Sequence, residues 1–469
     1  MKKLSPGQIE QIQMATEQIL ERVGVQVWHE PILNKARRAG AAVDETSGTV
    51  RFPAPLLREL LSSVPRQYSV CGVNGKKLLI GGGEQSCLAI VTDPWIVDYA
   101  TQLPRRPVLE DVRRHSIIAQ ELEPVVMVSR MDYPVADVPG PASSLRALEI
   151  HLLHHAKHNY VLPATLESYR EWLEILGNLE QSTGLAQNLL MTVGIPVLSP
   201  LRLTEMNAQI MWDACSRGQP IVSTICPMAG TTGPYTMAGT LLIGNAENMF
   251  LAALTQVLRP GNPYLYAMGP SRMDMGTGGN LYYTLDKVLW KIAAAQLGHS
   301  YGMPVAAECG GTMTYRYDQQ SGAEGMLFML AACESKADLL SGIGSCFNAV
   351  GMSAEMMVIQ TAWLEAAKYL GRGIDLETLD QSLESIRRVG PGGHFMTDDL
   401  TMARLRAGEF FDSDIFDLTG VYGPHPSLLE RAHQKVEEMI SRQPTPVPDR
   451  VKEVLRRYFR DRYKKLAAG

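Results

Sequence analysis

Residues 220–269, PIVSTICPMAGTTGPYTMAGTLLIGNAENMFLAALTQVLRPGNPYLYAMG, contain two short apolar runs on either side of one long helical pattern. The runs occupy residues 220–227 and 263–269, and the helical pattern covers residues 240–258. A near-continuous apolar strand that leads into a helix and then into a second such strand is typical of a parallel sheet covered by helices. The stretch therefore predicts one β-α-β unit.

The same unit recurs on both sides of this stretch. Further apolar runs, with helical patterns between them, lie at residues 125–131, 160–164, 189–197, 304–311, 339–346 and 392–397. Together with the first two runs they make eight units, which fit a closed (β/α)8 barrel better than an open sheet. We therefore predict an α/β chain whose barrel spans residues 106–400, with the glycine-rich run GGHFMT as its last strand.

The two ends of the chain have a different character. Residues 6–23 have the apolar spacing of an amphipathic helix, and short strand-like pieces follow before Gly81-Gly82-Gly83. These features predict an N-terminal α+β extension over residues 1–105 that caps the barrel. Residues 401–469 are helical and charged and end in RRYFRDRYKK, which predicts a C-terminal helical extension.

The composition excludes several classes of protein. The 469 residues are 45% hydrophobic and carry a net charge of -5, which argues against disorder and against nucleic-acid binding. The start, MKKLSPGQIEQIQ, has no apolar segment of a secretory signal, and no run approaches about 18 uninterrupted apolar residues, so we predict no membrane span. Seven scattered cysteines without a CxxC motif suit reduced thiols, so we expect a cytoplasmic protein.

The residues that follow the apolar runs are expected at the mouth of the barrel, since function in this fold collects where strands end. Segments such as 308–312 and 345–348 combine glycine with tyrosine, phenylalanine, methionine or cysteine nearby. Aromatic faces and soft sulfur atoms suit a desolvated organic cation, although the same residue types also fill ordinary cores. The motifs of phosphate loops, nucleophile elbows and HExxH proteases do not occur.

Four histidines lie close together in HLLHHAKH, residues 151–158. Their spacing puts His151, His154 and His158 on one helical face, which is compatible with a metal site. The helix leads into a strand, however, so its C-terminus should lie at the stability face of the barrel. Histidine near a helix C-terminus also suits the helix dipole. We therefore expect a structural role for this cluster and predict no metal in the chain.

Several longer blocks resemble the trimethylamine methyltransferase superfamily. They are GVQVWHEPILNKARRAGAAVDETSGTVRFPAPLL (24–57), LLIGGG with the following VTD (78–93), the block from AGTTGPY to GTGG (229–279), AAAQLGHSYGMPVAAECGG (293–311), ADLLSGIGSCFNAVGMSAEMMVI (337–359) and GPGGHFMTDDLTMARLRAGEFFDSDIF (390–416). The likeness covers most of the chain, and the blocks are specific for the superfamily without being specific for one substrate. It implies a (β/α)8 barrel and a separate corrinoid protein, carrying cobalamin, that accepts a methyl group.

The chain resembles the branch of that superfamily that lacks pyrrolysine, whose known type acts on glycine betaine. The archetype uses a pyrrolysine near the barrel floor, whereas this chain contains only the twenty common residues, and the corresponding position should lie in or near residues 341–352. A quaternary ammonium already has a neutral leaving group, so the enzyme needs only to orient one methyl group and exclude water. We therefore expect demethylation of glycine betaine to dimethylglycine, with methyl transfer to Co(I) of the corrinoid protein.

Site roles follow from this resemblance and from positions near strand ends. The expected aromatic cage around the ammonium group is Tyr99, Tyr266, Tyr315 and Phe347; the expected carboxylate contacts are Arg316, Asn348 and His394; Glu308 or Asp274 would offset the positive charge; and the corrinoid would meet Gly230, Thr231, Thr232 and Gly233 together with Gly276 and its neighbours up to 279. For each of these residues, packing or loop bracing is the alternative interpretation.

Other functions remain open at this point. The substrate could be another betaine, such as proline betaine, carnitine or γ-butyrobetaine, or the protein could bind a betaine without catalysis. A zinc-dependent methyltransferase would need a site built from Cys226, Cys309, Cys346 and His394. A barrel lyase would need a lysine for a Schiff base, and no lysine follows a predicted strand. We also expect a homo-oligomer.

Overall fold

The computed structural model describes residues 3–140 and 142–468. The chain opens with a small mixed region of helices and short strands. Its elements are α1 (Pro6–Arg22), β1 (Val25–Val27), α2 (Glu30–Arg38), β2 (Ala42–Asp44), β3 (Thr49–Arg51), α3 (Ala54–Ser62), β4 (Tyr68–Cys71) and β5 (Lys77–Ile80). The first helix begins where the sequence predicts it, because Ser5 caps the free N–H of Gln8 and Pro6 occupies the first turn.

The central part of the chain alternates strands and helices. Its elements are β6 (Ser86–Ile90), β7 (Trp95–Val97), β8 (Pro104–Arg105), α4 (Leu109–Glu121), β9 (Val125–Ser129), α5 (Ala142–His154), β10 (His158–Val161), α6 (Leu166–Thr183), α7 (Gln187–Leu190), β11 (Met191–Pro196), β12 (Arg202–Leu203), α8 (Glu205–Arg217), β13 (Ile221–Thr224), β14 (Met228–Ala229), α9 (Met237–Leu258), β15 (Tyr264–Ala267), β16 (Ser271–Met273), β17 (Asn280–Leu281), α10 (Asp286–Ser300), β18 (Val305–Glu308), α11 (Gln319–Glu334), β19 (Leu339–Ile343), β20 (Ser345–Cys346), β21 (Gly351–Met352) and α12 (Ala354–Arg372). Four helices end the chain: α13 (Leu379–Val389), α14 (Asp399–Ala407), α15 (Leu428–Ser441) and α16 (Asp449–Ala468).

Eight parallel strands close into a barrel in the order β6, β9, β10, β11, β13, β15, β18 and β19. Neighbouring strands pair in parallel throughout, and β19 returns to β6 to close the ring. The predicted (β/α)8 barrel is therefore confirmed.

One predicted strand is wrong. Residues 392–397 form no strand and lie exposed, whereas the eighth barrel strand is β6, inside the segment predicted as an N-terminal extension. A barrel strand must bury apolar side chains on both faces. β6 does so, because Cys87 and Ala89 pack outward while Leu88 packs in the interior, and GGHFMT cannot. The boundary drawn at residue 105 therefore cuts through the barrel.

The amino ends of the strands are closed by a plug. The antiparallel hairpin of β4 and β5 places Tyr68, Val70 and Ile80 in one apolar cluster with Leu88 and Leu265 from the strands. These side chains are all at most 6% exposed. The interior can therefore open only at the carboxyl ends of the strands.

Helix α9 forms the most deeply buried wall of the protein. It is long and apolar enough to cross a membrane by length and composition, but 89% of its most apolar window is buried within the protein. The barrel covers one side of α9, and α1, α2 and α3 cover the other. It is thus built as a core helix, with apolar residues all round.

The loops at the carboxyl ends form two small sheets above the barrel. One joins β14, β16 and β17, from the loops after β13 and β15, and the other joins β20, β21, β7 and β8, from the loops after β19 and β6. Both sheets therefore lie at the mouth of the barrel, among the loops that follow the strands.

Candidate active site

The barrel interior has a closed floor and an open pit above it. Inward side chains in the lower half of the strands, such as Met127 and Val222, are almost fully buried. One layer higher, Tyr160, Thr224 and Glu308 are partly accessible. Just after β13, Cys226 is exposed, and its Sγ atom lies 3.8 Å from the Tyr282 hydroxyl. Accessible side chains at the axis of a barrel mean that a cavity opens at its mouth.

The carboxylate of Glu308 is the centre of this pit. The hydroxyl of Tyr282 donates to Glu308 Oε1 at 2.5 Å, and Lys287 Nζ lies 3.0 Å from Glu308 Oε2. Lys287 also lies 3.0 Å from the centre of the Tyr282 ring. Lys287 is 1% exposed while Glu308 is 20% exposed. The Lys287 ammonium is therefore buried in the wall of the pit, whereas the Glu308 carboxylate and the Tyr282 ring face the pit.

Burial has the largest effect on the pKa values of the side chains around Glu308. It lowers the pKa of Lys287, and the charge of Glu308 opposes that shift. Burial likewise raises the pKa of Tyr282 far above the range of physiological pH, as do the neighbouring charges of Cys226 and Glu308. Burial raises the pKa of the Cys226 thiol, with Lys287 acting in the opposite direction. The pit at neutral pH therefore holds a neutral thiol and a neutral phenol beside a paired carboxylate.

A second carboxyl group lies deeper in the wall. Asp93 follows β6 and is 4% exposed, and its Oδ2 atom has no hydrogen-bond partner. Burial raises the pKa of Asp93 to about 8. Asp93 is therefore a mainly neutral acid at pH 7.

The loop that carries Tyr282 is held by the turn after β20. Asn348 accepts a hydrogen bond from the N–H of Tyr282 at 2.7 Å and donates to the carbonyl of Asn280 at 2.7 Å. Phe347, Asn348 and Ala349 all have positive φ, between 48° and 63°. Such a left-handed run costs energy in residues other than glycine. The hydrogen bonds of Asn348 therefore stabilise the turn, and the same bonds hold the loop of Tyr282 in place.

Several predicted site residues do reach the mouth. Phe347 and Tyr315 pack edge to face with ring centres 5.3 Å apart, next to the Asn348 turn, and Glu308 lies in the pit. The Asn348 amide, which was expected to hold a carboxylate, instead binds the backbone of the facing loop. Asp274, the other acid considered, accepts hydrogen bonds from Gly276 and Thr277 and so braces its own turn.

Four other predicted residues lie elsewhere. Tyr99 stacks on His433 of α15 at 3.5 Å, outside the pit. Tyr266 is fully buried, points from the barrel to α9 and donates to Asn245 at 3.0 Å. Arg316 forms a surface ion pair with Asp318. His394 is exposed on the segment that was wrongly predicted as a strand. Alternation along β15 explains the error at Tyr266, since Leu265 and not its neighbours faces inward.

The loops predicted to meet the corrinoid form the rim on the other side. Residues Gly230–Gly233 follow β14 in a tight turn, and Gly276 lies in the loop between β16 and β17. A side chain at Gly230 would touch both Tyr235 and Met275, and these two neighbours are 59% and 62% exposed. The rim therefore presents small residues and accessible apolar side chains to anything that docks at the mouth.

The lysines and Tyr282 were not found by sequence reasoning. Tyr282 stands in a long loop well beyond the end of β15, and Lys287 and Lys291 reach inward from the first turns of α10. The Lys291 ammonium is buried without a hydrogen-bond partner and lies 4.1 Å from the Phe328 ring centre. A lysine is thus present at the site, although no lysine follows a predicted strand in the sequence. The one beside the pit, Lys287, is held in an ion pair.

The groups considered for metal binding are not brought together. His394 lies in the exposed segment 392–397, whereas Cys309 packs in the core, so the four residues that a zinc-dependent alternative would need are not brought together. Over residues 3–140 and 142–468, no group of three or more His, Cys, Asp or Glu side chains has the arrangement of a metal site. In the histidine cluster, His151 bonds to Ser116 and His155, and burial lowers the pKa of both histidines.

A closed parallel barrel with a polar pit at the carboxyl ends of its strands places the protein among (β/α)8-barrel proteins that bind their ligands at this face. The chain belongs to the trimethylamine methyltransferase (MTTB) family, whose sequence model matches residues 1–467. The resemblance seen in the sequence is thereby confirmed, and the protein is a member of a methyltransferase family.

Two of three named relatives span nearly the whole chain. Glycine betaine methyltransferase of Desulfitobacterium hafniense (strain Y51) is 25% identical and covers 95% of this chain and 94% of its own. Trimethylamine methyltransferase MttB of D. hafniense (strain DSM 10664 / DCB-2) is 22% identical over 95% of this chain and 90% of its own. Proline betaine:corrinoid methyltransferase of Eubacterium limosum is 25% identical over 56% of each chain. The Methanosarcina barkeri monomethylamine methyltransferase structure matches with a TM-score of 0.52, 13% identity and coverage of 93% and 88%, which supports the fold.

Proposed function

We propose that this protein removes a methyl group from a quaternary amine and transfers it to a corrinoid protein, with glycine betaine as the leading substrate. The observation that carries the proposal is the pit in which Glu308 and the rings of Tyr160 and Tyr282 are accessible at the barrel mouth. Membership of the methyltransferase family and the names of the relatives support the same reaction class.

The pit suits a trimethylammonium group on physical grounds. Such a group has no N–H to donate, so its recognition depends on shape, aromatic faces and a nearby negative charge. Contact with one aromatic face contributes about 0.5 to 2 kcal/mol when the cation is desolvated. Tyr160 and Tyr282 offer such surfaces, and Glu308 adds a carboxylate whose own charge Lys287 partly offsets. A cation in this position would face aromatic surfaces and a partly neutralised carboxylate.

The reaction requires little acid–base chemistry from the side chains of this protein. When the methyl–nitrogen bond breaks, the electron pair stays on nitrogen and leaves a neutral tertiary amine, so no proton is required. The Co(I) corrinoid of the partner supplies the nucleophile that accepts the methyl group. The residues of the pit then have to orient one methyl group toward the open mouth and exclude water. The rim around Gly230–Gly233 and Gly276 is the surface at which we place the corrinoid.

The carboxylate of a betaine would have weaker contacts than the sequence suggested. Arg316 and His394 lie outside the pit, and Asn348 is occupied by the loop of Tyr282. Hydroxyl groups remain, because the side chains of Tyr160 and Thr224 are partly accessible at this level of the barrel. We therefore place the carboxylate against hydroxyl donors, which leaves other betaines open as substrates.

The test is a screen of quaternary amines for methylation of Co(I) cobalamin, read by its visible spectrum. We expect turnover with glycine betaine or a related betaine and little with trimethylamine. Tyr282→Ala and Glu308→Gln should each lower kcat/KM by about tenfold or more, whereas Tyr99→Ala, a tyrosine outside the pit, should not. Equal rates with trimethylamine and betaines would contradict the proposal.

A non-catalytic betaine-binding protein is distinguished in the same screen. Such a protein would bind a betaine in calorimetry, and Tyr282→Ala would weaken that binding, but no methylated corrinoid would form with any amine.

A further inference from the structure

Residues 374–408, which we call the arm, are almost unpacked on the rest of the chain. The arm contains α13 and α14 and nine of the 29 large hydrophobic side chains that are exposed in the described residues, although it makes up only 35 of 469 residues. On α13, Leu379, Leu383 and Ile386 follow helical spacing and are 58%, 46% and 57% exposed. Exposed apolar surface concentrated in this way marks an interaction site.

The arm is a loop whose two ends are joined. Arg372, the last residue of α12, donates to the carbonyl of Glu409 at 2.8 Å. Between these anchors, the arm's side chains bond mainly to one another, as in the ion pair of Arg388 with Asp398. The arm is therefore a defined projection with helical structure of its own, and its apolar face has no cover within the described part of the chain.

The root of the arm lies far from the mouth of the barrel. α12 begins directly beyond β21 at the mouth, and its 19 residues carry the chain roughly 28 Å toward the closed end before Arg372. A corrinoid protein must dock at the open end, where the pit lies. The arm root is thus at the wrong end of the barrel for that partner.

Charge identifies a complementary surface on the same protein. The first part of the arm has Asp375, Glu377, Asp380 and Glu384, all exposed, with no basic residue among residues 374–384. Helix α16 has eight basic and three acidic residues, and Arg456, Arg457, Arg460 and Lys464 are exposed on it. In its own chain α16 packs on α5 and α6, whereas the arm leaves α12. A second copy can bring the two surfaces together.

We propose that the arm docks on a second copy of this chain, with the apolar face of α13 and α14 buried against the partner and the acidic start of the arm paired with the partner's α16. A symmetric dimer buries both arms, because each copy offers one arm and one basic helix. This inference does not depend on which substrate is used, but its exclusion of the corrinoid protein as the partner rests on the proposed function.

The experiment is a mass measurement on the full-length chain by light scattering or sedimentation at micromolar concentrations. We expect the wild type to be a dimer or a larger even oligomer. Leu379→Glu with Leu383→Glu should dissociate it, while the far-ultraviolet circular dichroism spectrum stays unchanged. Leu103→Glu is the matched control, since Leu103 is 56% exposed outside the arm and its replacement should leave the mass unchanged.

A charge swap tests the pairing itself. Asp380→Lys with Glu384→Lys should weaken the dimer, and adding Arg456→Glu with Arg460→Glu should restore it. A monomeric wild type, or a mass that the leucine variants do not change, would overturn the proposal. So would a charge swap without restoration, and so would a wild-type monomer whose arm variants lose binding to the corrinoid protein.

Discussion

Single residues at the mouth show how burial sets the chemistry of this protein. Glu308 and Asp93 are both acids at the ends of barrel strands, yet they differ in their partners. Glu308 has a lysine at 3.0 Å and a phenol at 2.5 Å, whereas Asp93 has no partner for Oδ2. A buried carboxyl group without a partner favours its neutral form, which is why burial raises the pKa of Asp93.

Asp93 should make the stability of the protein depend on pH. An exposed aspartate loses its proton near pH 4, and Asp93 in the folded protein does so near its pKa of about 8. Between these values the folded state holds a proton that the unfolded state lacks, so the free energy of unfolding falls as pH rises. Asp93→Asn cannot ionise and removes this loss.

We therefore expect Asp93→Asn to raise the melting temperature by a few degrees at about pH 9 and much less at about pH 5. The measurement is a pair of thermal melts at each pH, at one scan rate, for the variant and the wild type. Asp132→Asn, at an acid that pairs with Arg130, is the control and should show no gain at high pH. An equal shift at both pH values would contradict a raised pKa.

At the scale of elements, short connecting segments do most of the positioning. The left-handed turn of residues 347–349 and the loop of residues 280–283 come from different β-α units, and the Asn348 amide joins them. These two hydrogen bonds hold the loop so that the Tyr282 hydroxyl reaches Glu308. Helix α10 contributes in the same way from its first turn, which delivers Lys287 to the far side of that carboxylate.

Loss of the Asn348 amide should therefore affect activity more than stability. Asn348→Ala removes two hydrogen bonds, each contributing about 1 kcal/mol, and frees the loop of Tyr282. We expect kcat/KM for the best quaternary amine to fall by about tenfold or more, with a shift in melting temperature of only a few degrees. Asn178→Ala, at a half-buried side chain on α6 that bonds to its own helix, is the control. A large fall in stability with unchanged kcat/KM would assign Asn348 a purely structural role.

For the whole molecule, the barrel cannot be separated from the N-terminal region. β6 supplies one of the eight strands, and the hairpin before it plugs the floor. A chain that begins at residue 106 leaves β9 and β19 with open edges and the floor cluster uncovered. We expect this truncated chain to aggregate or to lack a cooperative thermal transition, whereas the full-length chain should show one. A soluble, cooperatively folding product from residue 106 would contradict the strand order.

The amino-acid sequence by itself determined the barrel and most of its strands, because alternating apolar runs and helical patterns are local signals that burial on both faces of a parallel strand imposes. It also determined the family, since the matching blocks span the chain. Strand β6 was missed because its short apolar run follows glycines and lies in a region of other small strands. The run at residues 392–397 was mistaken for a strand because it occupies the expected place in the order.

Only the tertiary structure decided which side chains share the pit. Tyr266 and Leu265 are neighbours in sequence, and the direction of each depends on the register of β15 in the closed sheet. Tyr282 and Lys287 reach Glu308 from a loop and a helix, so no strand-end position marks them. The ion pair of Glu308 with Lys287 joins a strand to a helix, and that proximity arises only when the barrel closes.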